Sequence, residues 1–268
     1  MIIRWFISLF FIFFLLVPTP VLAQGTETTI TTEQLQAGQD LNDRAFAATQ
    51  AGDLAQAEAY WTELVELFPT NPAVWSNRGN ARVGQNKLAI AIADYNQAIK
   101  LAPDATDPYL NRGAAYEAQG KWESAIADYN RVLSLDENDA MAYNNRGNAK
   151  AGQGKWAEAI RDYEKAADIS SNFAFARANY AIALYEIGEQ EEALRTMRNL
   201  VRKYPLFPDM RAALSAILWV KGEQGEAESN WVAAVGLDSR YQDLDWVKNT
   251  RRWSPAMVSA LEKFLKLQ

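Results

Sequence analysis

Apolar and polar positions along this chain follow two different rules. From Trp5 to Val17 the residues are apolar apart from Ser8, and no polar face interrupts them. Beyond Gly38 the apolar positions recur in a fixed frame. Ala57, Ala91, Ala125, Ala159, Ala193 and Ala227 are each 34 residues apart. Slicing from Gly38 gives 38–71, 72–105, 106–139, 140–173, 174–207 and 208–241, which align without insertion or deletion. Such a period marks a supersecondary unit that buries its apolar face only by stacking on its neighbours. Each slice predicts two helices of about 13–14 residues, roughly 20 Å long at 1.5 Å per residue.

The frame also says how the two helices meet. Gly52, Gly120, Gly154, Gly188 and Gly222 share position 15, between the helices, with Asn86 filling that slot in the second slice. Glycine and asparagine are the residues that end a helix in the left-handed conformation. Position 8 holds Ala45, Gly79, Gly113, Gly147, Ala181 and Ser215, all small. With the alanines of position 20, these let paired helices approach closely. The large residues of position 24 (Trp61, Tyr95, Tyr129, Tyr163, Met197 and Trp231), and Trp122 and Trp156 at position 17, then fill the gaps. Upstream, Thr32 is placed to N-cap a first helix that continues through Gln50. Downstream, Ser254 and Pro255 read as N-cap and first residue of a last helix. Its apolar stripe of Met257, Leu261, Phe264 and Leu265 would cover the final repeat.

The three middle slices share NRG at 77–79, 111–113 and 145–147, and a DY pair at 94–95, 128–129 and 162–163. With the small residues at 8 and 20, the aromatics at 4 and 24 and the prolines Pro69, Pro103 and Pro205, the chain resembles the tetratricopeptide repeat (TPR) family. Position 4 departs from the pattern at Arg177 and Arg211. The resemblance implies an all-α, right-handed TPR superhelical solenoid of six helix-turn-helix repeats with a C-terminal capping helix. It implies a concave groove lined by positions 2, 5, 6, 9, 12 and 13 of each first helix, holding an extended peptide or a partner helix.

Position 6 carries Asn77, Asn111, Asn145 and Asn179, with Asn80 and Asn148 one helical turn further on. An amide both donates and accepts, so such a ladder can pair with the backbone of an extended chain whatever its sequence. The plain alternative is that these amides meet water. Phe175, Tyr185 and Trp219 fall on groove positions of the last two repeats, as an apolar pocket or as packing under the terminal helix; for Trp219 the packing reading is favoured. A carboxylate-gripping TPR clamp is rejected, because positions 2 and 5 carry none of its lysines. Arg78, Arg112 and Arg146 at position 7 occur together with Asp94, Asp128 and Asp162 at position 23. They are predicted to pair and bridge helices; Arg44 has Tyr60 instead. Lys248, Arg251 and Arg252 in the tail read as a solvated face, and 136–139 as a turn that lacks the glycine and distal glutamate of a calcium loop.

Composition narrows the chemistry. The 268 residues include no His and no Cys, and 27 Lys and Arg against 33 Asp and Glu give a net charge of −6. That removes disulfides, thiolate nucleophiles, Cys- or His-ligated metals and the residue most used for proton transfer near neutral pH. The acidic balance argues against a nucleic-acid partner. No enzyme, cofactor or metal site is expected; an enzyme without His or Cys is the remote alternative. Met1–Ala23 has the order of a secretory signal: Arg4, the apolar run, Pro18-Thr19-Pro20 and a small residue at Ala23. The expected layout is therefore a signal over 1–23, a lead-in over 24–37, repeats over 38–241 and a cap over 242–268.

An exported scaffold that binds a protein or peptide follows, in a periplasm or a thylakoid lumen. The NRG repeats and the tail DLDWVKNTRRWSPAMVSALEKFL resemble small signal-bearing TPR proteins of cyanobacteria and plastid lumens, which implies a part in assembling a membrane or photosynthetic complex. The alternative is a TPR subunit of an envelope or secretion complex, tethered by an uncleaved signal. Membrane contact is expected only through that segment or through a membrane-complex partner.

Overall fold

A computed structural model describes residues 31–266. The signal assigned to residues 1–23 lies outside them. The described residues are helical throughout, with no strand among them. They divide after Asn111 into two compact units.

The first unit holds α1 (Thr32–Ala51), α2 (Leu54–Leu67), α3 (Pro72–Gly84), α4 (Leu88–Leu101) and the start of α5 (Thr106–Ala118). Helix α1 begins one residue earlier than the sequence suggests. Thr31, not Thr32, is the cap: its hydroxyl accepts from the Gln34 N–H, and the Gln34 side chain accepts from the Thr31 N–H. This reciprocal pair requires a Gln or Glu three residues on, which Thr31 has and Thr32 lacks. Its core is Leu41, Ala45, Ala57, Trp61, Leu64, Val65, Val74 and Ala81.

The second unit continues with α6 (Trp122–Leu135), α7 (Ala140–Gly152), α8 (Trp156–Ile169), α9 (Ala174–Glu186), α10 (Gln190–Lys203), α11 (Pro208–Val220) and α12 (Gln224–Leu237). A 3-10 turn (Ser239–Gln242), the short α13 (Leu244–Trp246), a π-helical turn (Val247–Arg251) and α14 (Pro255–Leu265) close it. The predicted turn at 136–139 lies between α6 and α7, where Asp139 caps α7 by accepting from the Ala142 N–H.

The left-handed terminations fall where the frame puts them. Gly52, Gly120, Gly154, Gly188 and Gly222 all have positive φ, and Asn86 joins them at 60°. The small residue at position 8 is equally constrained. A Cβ on Gly79 would lie 2.7 Å from the Tyr95 ring, and one on Gly113 or Gly147 would lie 2.6 Å from the ring of Tyr129 or Tyr163. Those rings are fully or almost fully buried and cannot retreat. Trp122 does the same work between successive pairs: its ring would lie 2.9 Å from a Cβ on Gly152.

At the C-terminal end the core is largest. Met257, Leu261 and Phe264 of α14 are fully buried against α11 and α9. The Phe264 ring meets Trp219 and Trp231 edge-on at 5.2 and 5.1 Å. Ser254 caps α14 and Pro255 is its first residue. Trp219 therefore packs beneath the terminal helix.

Gly113→Ala is expected to lower stability by about 1–3 kcal/mol through overpacking. Gly236→Ala, with nothing within 4 Å of the added methyl, is expected to be neutral or slightly stabilising. Denaturant unfolding of the two variants checks the contrast.

Candidate functional site

The face that the register assigns to ligand is carried by the first helix of each pair: α1, α3, α5, α7, α9 and α11. Polar struts on the opposite side of these helices fix them against their partners. The Arg78 guanidinium donates to both oxygens of Asp94 at 3.1 and 2.7 Å. Arg112 grips Asp128 at 2.8 and 2.6 Å, and Arg146 grips Asp162 at 2.9 and 2.7 Å. All three are fork-to-fork pairs, the strong and directional form of this interaction. Each joins positions 7 and 23 of one helix pair. A second cation completes two of them: Arg82 on Asp94 and Lys150 on Asp162, both at 2.7 Å. In the first repeat Arg44 donates instead to the Tyr60 hydroxyl at 3.0 Å and stands over its ring.

With the first helices held, the asparagines of the ladder divide into two sets. Asn77 and Asn111, both half-buried, make no side-chain hydrogen bond among the described residues. Asn80 is exposed; its carbonyl accepts from the Tyr95 hydroxyl at 2.8 Å, which leaves its amide N–H groups to solvent. The other set is committed within the second unit. Asn179 donates to Asn144 at 3.0 Å and to Asn148 at 3.1 Å. Asn148 also accepts from Tyr163, and the Asn145 carbonyl accepts from Asn144. The Asn179 carbonyl accepts from Arg251 at 3.1 Å.

Arg251 is the residue that sequence reasoning misplaced. Far from being solvated, its guanidinium forks onto Asp209 of α11 at 2.7 and 2.6 Å. The Asp209 carboxylate accepts in addition from the Tyr241 hydroxyl at 2.9 Å and the Trp253 indole N–H at 3.0 Å. Burial pulls the Arg251 guanidinium down, but Asp209 more than reverses this, so the group stays protonated. Asp209 sits at position 2, a ligand-facing position in the frame. Arg252 stays exposed but is not free: it pairs with Glu117 of α5 at 2.6 Å and lies 5.7 Å from the Trp122 ring centroid. Burial raises the Glu117 carboxyl above its ordinary range, against the pull of Arg252 and the Tyr129 hydroxyl.

The two apolar candidates also part company. Phe175 is at the surface, edge-on to Phe207 at 5.2 Å. Tyr185 is buried in the C-terminal core, with its hydroxyl pushed up by burial. No cluster of carboxylates among the described residues is arranged to hold a metal ion.

TPR family models match residues 79–120, 117–154, 140–173 and 179–206. Those residues carry tetratricopeptide repeats. No curated protein sequence matches the chain. Among solved structures, a TPR protein from Parabacteroides merdae is 21% identical, with TM-score 0.62 over 87% of this chain and 98% of that one. Pseudomonas aeruginosa pilF is 15% identical, with TM-score 0.66 over 88% and 100%. YrrB, described as a TPR protein with an unusual peptide-binding site, is 18% identical, with TM-score 0.51 over 67% and 92%. At these identities the likeness establishes the fold, and a TPR fold is typically a protein-interaction scaffold.

In this TPR fold the struts are expected to act as coupled pairs. Asp128→Ala leaves a largely buried guanidinium without its carboxylate and should cost about 3 kcal/mol; Asp128→Ala with Arg112→Leu should cost less. A double-mutant cycle by chemical denaturation reads the coupling, and additive effects would remove it.

Proposed function

We propose that this protein is an exported TPR scaffold that binds an extended peptide, or a segment of another protein, along the first-helix face. The observation that carries the reading is the pair Asn77 and Asn111, at the same register position of successive first helices, with amides that no described side chain or backbone group satisfies. An amide held half-buried and unpaired offers one donor and one acceptor to a passing backbone, and Asn80 adds exposed donors one turn along α3. The sequence holds no His and no Cys, the side chains most used for proton transfer and nucleophilic attack near neutral pH, which favours binding as its use. YrrB, with its peptide-binding site, is a precedent for this use of the fold.

The order of residues 1–23 supports export, to a periplasm or a thylakoid lumen, and the likeness of repeats and tail to cyanobacterial and plastid-lumenal TPR proteins supports a role in assembling a membrane or photosynthetic complex. A chain that keeps residues 1–23 would instead be a tethered subunit of an envelope complex.

Affinity capture from the exported fraction tests both parts. Wild-type protein should begin at Gln24 and retain a partner that Asn77→Ala with Asn111→Ala loses at least tenfold. Equal capture by the two proteins would exclude the ladder, and a mature chain beginning at Met1 would exclude cleavage.

A further inference from the structure

The tail does more than cover the last helix pair. From Arg251, the last residue of the π-helical turn, to Ala256 in the first turn of α14, it lies on the first-helix face of the second unit. Its polar partners there are Asp209 and Asn179 for Arg251, Glu117 for Arg252, Asp209 for Trp253 and Glu186 for the Ala256 N–H at 2.7 Å. In the repeat frame these are positions 2, 6, 12, 2 and 13, all assigned to ligand. Residues 135 apart in sequence, Glu117 and Arg252, thus meet on this face.

The segment meets this face where the helices of the tail are interrupted. Arg252 takes the left-handed conformation, φ 58°, which a side-chain-bearing residue adopts rarely. The backbone is not helical from Arg252 to Ser254. Its contacts fall into two tiers. Arg251 and Trp253 share the buried Asp209 carboxylate with Tyr241 of the last repeat. Arg252 reaches Glu117 with 41% of its side chain still exposed.

The chemistry of the face specifies what can replace this segment. Three carboxylates (Asp209, Glu117 and Glu186) and an amide (Asn179) receive it. A competitor lacking arginine would leave the buried Asp209 carboxylate with the Tyr241 hydroxyl but without a cation, which is unfavourable. A competitor lacking an aromatic N–H donor would leave one of its acceptor positions empty.

We propose that residues 247–256 are a ligand held in cis on the first-helix face of the second unit, and that a partner segment carrying an arginine and, two residues later, a tryptophan takes their place. This rests on reading the first-helix face as peptide-binding, and extends it from backbone pairing in the first unit to side-chain selection in the second. Binding at the second-unit face then requires release of the tail, so the tail sets the threshold for a partner.

The test uses the full chain and a fluorescently labelled synthetic peptide of residues 247–256, VKNTRRWSPA, followed by fluorescence polarisation. Wild-type protein should bind it weakly, because the site is filled. Arg252→Glu, which sets two carboxylates against each other at Glu117, and Arg251→Ala should each bind at least tenfold more tightly. The same peptide with alanine at both arginines should lose that gain. Circular dichroism establishes which variants are folded; if Arg251→Ala is not, Arg252→Glu decides alone. Equal binding by wild type and folded variants, no binding by any folded variant, or equal binding of the alanine peptide would each overturn the proposal. The Asn77 and Asn111 variants lie in the first unit, so failure there leaves this measurement standing, and failure here leaves theirs.

Discussion

The contact between a residue without a side chain and a buried ring fixes most of what this molecule is. Gly79, Gly113 and Gly147 lie so close to Tyr95, Tyr129 and Tyr163 that a single methyl would reach 2.6–2.7 Å from each ring. That approach sets the separation of the two helices in a pair. The separation in turn brings positions 7 and 23 within reach of one fork-to-fork ion pair. Lengthen it by the thickness of a methyl and the 2.6–2.8 Å bonds of Arg112 to Asp128 would open. The strut is therefore a consequence of the packing and, once made, a lock on its geometry. Both lie on the side of the first helix away from the ligand-facing positions, which leaves those positions free for binding.

The struts also explain why the polar content of this interior is tolerable. Asp94, Asp128 and Asp162 are almost fully buried, and an isolated carboxylate in such surroundings would be costly by several kcal/mol. Each is met by a guanidinium that supplies two parallel donors. Asp94 and Asp162 also receive a second cation. In the last two repeats the arginines of position 7 give way to Tyr180 and Leu214 and the aspartates of position 23 to Thr196 and Asn230. The core there is correspondingly apolar, from Ile182 and Leu184 through Leu214, Ile217 and Leu218.

Features that repeat were legible in the sequence, because repetition turns a spatial contact into a spacing. Period 34 located the helix pairs, position 15 the left-handed turns at Gly52 through Gly222, and the joint occurrence of Arg and Asp the three struts. Ser254 and Pro255 were legible for a different reason: a cap is a local interaction within four residues. Thr31 was missed in favour of Thr32, although the signal existed in Gln34, three residues on. What happens once, over a long distance, left no trace. Asp209 and Arg251 are 42 residues apart, and Glu117 and Arg252 are 135 apart, with no second copy to reveal the pairing. Tyr185 obeyed the register of a groove residue and is buried all the same, because the tail folds over α9.

Charge supplies the last step. Within the repeats every strut is self-contained, its cation and anion drawn from the same helix pair. Asp209 and Glu117 are exceptions: each stands on a ligand-facing position, and the cation it meets comes from the tail. A carboxylate buried at 1% exposure, given a tyrosine hydroxyl but no cation by its own repeat, is costly unless something else brings the charge. Here Arg251 brings it, and the bond is made only when the tail lies on the face. The stability of the C-terminal repeats and the occupancy of the second-unit face are therefore the same interaction, so that whatever displaces the tail must replace its arginine.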